Sequence, residues 1–170
     1  MAEDRSSDND IDSLTETFRA YGAPDPEEWA RSQINEGIPQ LALFSFAKSL
    51  WAGVLSEDDT SWIDEEIRWS DEHREEPCAQ AGAALREMLA RDVSRSAIID
   101  LVRVVQYEAL YHACAIIDGA RVEKVPITSF LLFQTDEEDQ PIVGLPGTHE
   151  VLFELDPTGR ELRPRPPAQP

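Results

Sequence analysis

The chain has 170 residues, 41% of them hydrophobic, and carries a net charge of −19 from 34 acidic and 15 basic side chains. That length suits one ordinary domain whose core needs no metal or disulfide staple. A field of this sign repels nucleic acid and anionic membrane and attracts basic proteins.

The two cysteines, Cys78 and Cys114, have neither zinc-type nor thioredoxin-type spacing, and read as reduced thiols in a cytoplasmic protein. The opening "MAEDRSSDNDID" has no basic and apolar signal-peptide regions. The most apolar run, "IPQLALFSFAKSLWAGVL", is broken by Lys48 and reads as a buried helix, not a membrane span. The acidity is local. Residues 57–76 alone hold ten acids and two arginines.

In chain order, residues 1–10 read as a disordered acidic arm. Ser13 and Glu16 look like a capping box opening a short helix that stops near Gly22. Asp25, Pro26, Glu27 and Glu28 are a strong helix start, by cap, fixed φ and helix dipole; that helix ends before Gly37 and Pro39. A more apolar helix runs from about Pro39 to Leu55, with Leu43, Phe44, Ala47, Leu50, Trp51 and Val54 on one face. Thr60 or Ser61 caps "WIDEEIRWSDEHREE", whose apolar side is Trp62, Ile63, Ile67 and Trp69. Pro77 starts an Ala-rich helix. Ser94 caps the longest helix, which ends at Gly119. "ITSFLLFQT" is the best strand, "DEEDQP" a turn and "PIVGL" a second short strand. Thr148 caps a turn or two of helix, or opens a strand. The tail is Pro-rich and extended.

The expected fold is mainly α: a bundle of five or six helices with a small C-terminal strand pair or irregular cap. A single helical domain spans 11–160, with the cap over 125–160 and the tail over 161–170.

Three chemical readings stand beside plainer ones. On a helical wheel Ile98, Val105, His112 and Ile116 fall within about 40° of each other, so His112 sits mid-stripe with Glu108 one turn earlier. The pair, with His149, is a weak metal-ligand or acid/base candidate. A buried His bonded to its neighbour is the plainer alternative, because two ligands are too few. Cys78, beside Pro77 at a helix start, reads as an ordinary thiol. No phosphate loop, H-E-x-x-H or G-x-S-x-G motif occurs, and no cofactor is expected.

The acidic block is the most distinctive feature. Asp58, Asp59, Asp64, Glu65, Glu66, Asp71 and Glu72, with Trp69 as an aromatic anchor, form a candidate surface for a basic protein partner. A solvated helix face is the plainer alternative. The expected function is a non-enzymatic protein-binding module, an immunity or inhibitor type in its sharpest form. The alternatives are a metal- or ligand-binding bundle and a structural subunit without activity.

Two segments, "EWARSQINEGIPQL" (28–41) and "GLPGTHEVLFELDPTGRE" (144–161), resemble an uncharacterised group of small acidic bacterial proteins. That group has a W-A-R-S-Q-I segment near the start and a G-L-H-E … D-P-T-G-R-E ending. Here Pro146, Gly147 and Thr148 interrupt the G-L-H-E run. The resemblance implies a bacterial cytoplasmic protein and carries no catalytic residue across.

Overall fold

Phe18, Trp29 and Phe44 come from three successive helices and close on one another. Their ring centroids lie 5.7–5.9 Å apart, two of the three pairs edge-on, the geometry that aromatic quadrupoles favour. The first helix, α1 (Ala2–Tyr21), brings Phe18, with Thr15 buried one turn before it and Ile11 and Leu14 half-buried. It starts well upstream of the expected Ser13 cap, so residues 2–10, read as an arm, are helical here. Gly22 ends it at φ +78°, a conformation that favours glycine.

Helix α2 (Pro26–Glu36) buries Trp29 and Ala30 and ends on left-handed Gly37. Asp25 holds its cap position through its backbone carbonyl, which accepts from Glu28 and Trp29, and not through its side chain. Helix α3 (Gln40–Trp51) buries Leu43, Phe44, Ala47 and Trp51, the expected face, but stops one turn short of Leu55. Gln33 and Ser32 tie α2 to α3: Gln33 Oε1 accepts from the Leu41 amide at 2.8 Å, and Ser32 Oγ from the Gln40 side-chain amide at 2.9 Å.

The computed structural model describes residues 2–119 and 130–164. These divide between two compact units: residues 1–53 with 110–170, and residues 54–109. The start of the expected strand, 127–129, and the tail from 165 lie outside the described residues.

In the first unit α7 (Thr148–Glu154) packs beside α3, and the indole of Trp51 donates to the Leu152 carbonyl at 2.8 Å. Strands β1 (Leu132–Thr135) and β2 (Pro141–Leu145) pair antiparallel, Leu132 against Leu145 and Phe133 against Gly144, with an irregularity before Thr135. The acidic turn between them is held by Asp136, whose carboxylate accepts from the amides of Glu138 and Gln140 at 3.0 and 2.8 Å. After α7 the buried Asp156 accepts from the Thr158 amide, the Thr158 hydroxyl and the Leu162 amide at 3.1, 2.6 and 2.8 Å.

The second unit holds α4 (Ser61–Glu72), α5 (Gln80–Ala90) and the first part of α6 (Arg95–Ile117). Its core is Ile63, Leu85, Ile98 and Ile99, with Leu55, Trp62, Ile67, Met88, Leu89 and Val102 packed around them. Ser94 Oγ accepts from the Ala97 amide at 3.2 Å, an N-terminal cap for α6. Thr60 takes the N-cap position of α4, one of the two expected, but the side-chain bond comes from Asp59, whose carboxylate accepts from the Trp62 amide and the Ser61 hydroxyl. The expected start of α5 at Pro77 moves to Gln80, because Cys78 sits at φ +73° and cannot be part of a helix.

Among the described residues the fold is thus mainly α with one small C-terminal antiparallel sheet, in seven helices and not five or six. The 148–154 segment is helix. No helix of the described residues is long and apolar enough to cross a membrane.

Candidate functional site

Helix α4 buries Ile63 and Ser70 on one side, with Trp62, Glu66 and Ile67 half-covered. Its charged residues then sort by what they touch. Asp64 receives both η-nitrogens of Arg95, at 2.7 and 3.0 Å, and this bond holds its carboxyl below the usual range and raises Arg95. Asp71 receives both η-nitrogens of Arg86, at 2.7 and 2.9 Å, with the same effect on its carboxyl. Asp59 is lowered first by the Ser61 hydroxyl it accepts. These three carboxylates are occupied in joining α4 to its neighbours or capping it.

Glu65 and Glu72 are exposed and Glu66 half-buried, and none of the three makes a salt bridge or hydrogen bond among the described residues. They surround Trp69 at three and four positions before it and three after, which on a helix makes them its surface neighbours. Trp69 is 37% exposed and stacks on His73 with ring centroids 5.0 Å apart. The two tryptophans of the acidic helix therefore part company. Trp62 packs against the core and Trp69 stands at the surface. Asp58, in the preceding loop, is exposed. The predicted eight-residue face reduces to a smaller cluster: an aromatic side chain among unpaired glutamates. No family model, curated protein or solved structure matches this chain. The reading of this cluster rests on its own chemistry.

The other candidate set comes apart. His112 and Glu108 are exposed, not mid-core. Helix α6 buries Ile98 at the start of that stripe, but its other buried residues, Ile99, Arg103, Tyr107 and Cys114, lie roughly opposite His112 on the wheel. Burial pushes the Cys114 thiol up. His149 is engaged elsewhere: its Nδ1–H donates to Asp118 Oδ2 at 2.6 Å, and its ring meets Tyr111 edge-on at 5.5 Å. Among the described residues no group of three or more His, Cys, Asp and Glu side chains could hold a metal ion. Exposed His112 has little to lose, so His112→Ala should shift unfolding free energy by less than about 0.5 kcal/mol. A buried, bonded imidazole would cost about 1–3 kcal/mol. Urea denaturation separates the two.

Asp118 is the residue that sequence reading passed over. It stands at the end of α6, and its carboxylate gathers the Thr148 hydroxyl, the His149 amide and the His149 ring into one oxygen, at 2.9, 3.0 and 2.6 Å. The only local signal is an Asp before the helix-ending Gly119. Its partners lie 30 and 31 positions away.

Proposed function

We propose that this chain is a non-enzymatic protein-binding module of the bacterial cytoplasm, which engages a basic partner through Trp69 and the glutamates around it. The observation that carries this reading is a half-exposed indole ringed by Glu65, Glu66 and Glu72, carboxylates that pair with nothing among the described residues. Indoles are favoured anchors in interface centres. Unpaired like charges around one steer a partner of opposite sign and make its affinity salt-dependent. The sharpest form of the proposal is an immunity or inhibitor protein that fills the cationic groove of a toxin or nuclease.

The structure also says which charges to reverse. Asp64 and Asp71 belong to Arg95 and Arg86, so reversing them would damage the unit itself. Glu65→Lys, Glu66→Lys and Glu72→Lys leave those pairs intact. Tagged wild-type protein should retain a basic protein from its source lysate at low salt and release it at high salt. The triple variant, equally folded by circular dichroism, should lose the partner by more than about tenfold in affinity, at least 1.4 kcal/mol. Equal retention by the variant would dismiss the α4 surface.

A further inference from the structure

Helix α6 is apolar on more sides than the chain covers. Opposite its buried side, Leu101 is 56% exposed, Val105 55% and Val104 40%. At 100° per residue these three and exposed Glu108 share an arc of about 100°. They run along two turns, about 10 Å. Single exposed apolar side chains are ordinary. Three at i, i+3 and i+4 are the pattern by which one helix receives another.

The charge around the stripe restricts what can cover it. The basic residues of α6 are elsewhere: Arg95 is bound to Asp64, and Arg103 is buried on the far side and donates to the Leu55 carbonyl. The stripe itself carries Glu108 and no cation. A second copy of the chain would bring another −19 and a second Glu108 to the same place. An anionic lipid surface meets the same repulsion. A cationic amphipathic helix meets none.

We infer that the Leu101–Val104–Val105 stripe of α6 docks an amphipathic helix of a basic partner, its apolar side on these three residues and a Lys or Arg reaching Glu108. This surface is distinct from the Trp69 cluster on α4, and neither needs the other.

The probe is a synthetic Leu/Lys amphipathic helix of about four turns, with a Leu/Glu helix of equal length as control, titrated by fluorescence anisotropy at about 50 and about 500 mM salt. The Leu/Lys helix should bind and the Leu/Glu helix should not. Leu101→Ser with Val105→Ser should weaken binding at least tenfold without lowering the melting temperature, since both side chains face solvent. Glu65→Lys, Glu66→Lys and Glu72→Lys should leave the peptide's affinity within about threefold. Absence of binding overturns the inference. So does equal binding by the Leu101/Val105 variant, which would mean that diffuse charge alone holds the peptide. If the wild type sediments as a dimer and that variant as a monomer, a second copy covers the stripe and the inference is likewise overturned. Loss of binding only in the glutamate variant would overturn it in favour of the α4 surface.

Discussion

Gly82→Ala is expected to destabilise the 54–109 unit by about 2 kcal/mol, against the helix propensity of the change. In a helix interior alanine gains roughly 0.5–1 kcal/mol over glycine. Here the added methyl would stand 2.4 Å from Ser70 Cβ and 2.6 Å from Ser70 Oγ. No torsion moves Ser70 Cβ aside, because it is fixed to the backbone of α4. The helices must separate, at about 1–3 kcal/mol for overpacking. They would also strain the bond that the Gly82 amide donates to Ser70 Oγ at 3.0 Å. That amide is one of the first four of α5, which have no partner within their own helix, and losing its acceptor costs about 1 kcal/mol. Urea denaturation followed by circular dichroism measures the sum. Ser70→Gly in the same chain removes the clash but not the missing acceptor, so it should recover about half of the loss. A Gly82→Ala variant more stable than wild type would show that α4 and α5 are not packed this closely.

The contrast between α3 and α6 explains which parts of the fold the sequence discloses. Helix α3 has polar residues such as Ser45, Lys48 and Ser49 on one side, so the position of its buried face follows from periodicity alone, and Leu43, Phe44, Ala47 and Trp51 are where that pattern puts them. Helix α6 is apolar nearly all round. Its wheel has no contrast to read, and the side that is covered includes Arg103, which lowers its apparent apolarity. Of the stripe centred on His112, Val105, His112 and Ile116 are therefore open, and Ile98 at its start is covered. The late start of α5 has a different cause: a left-handed Cys78 is a backbone state that composition does not signal.

The candidate surface was legible only as a block of charge. What divides its residues is tertiary pairing: Arg86 lies 15 positions from Asp71, and Arg95 lies 31 from Asp64. No spacing within the acidic helix distinguishes these two aspartates from Glu65 or Glu72. Segments 28–41 and 144–161 both hold residues that serve the fold. In the first, Trp29 and Ala30 sit in the core and Gln33 ties α2 to α3. In the second, Asp156 folds its own loop.

Asp118→Ala should cost the first unit about 2–4 kcal/mol, because three donors, two side-chain and one backbone, lose their acceptor together. The side chain is only 8% exposed, so water does not replace it. The loss should appear first at α7, whose opening residues Thr148 and His149 are the ones it holds. The charge adds a pH dependence of definite sign. Burial acts to raise the Asp118 carboxyl, but the bonds from His149 and Thr148 outweigh it and hold the carboxyl below its ordinary value. A depressed carboxyl contributes stability above its unfolded value, near pH 4, and loses it as pH falls through the folded value. Glu154 runs the other way: burial, then Glu150, Glu28 and Glu161, push its carboxyl up, so its protonation favours the fold as pH falls. Wild type and Asp118→Asn, compared by urea midpoint between about pH 2 and pH 7, should therefore differ most near neutrality and converge in acid. The two proteins share Glu154, so it cancels in the comparison. A gap that stayed constant down to pH 2 would mean that Asp118 holds α7 by shape and hydrogen bonding without its charge.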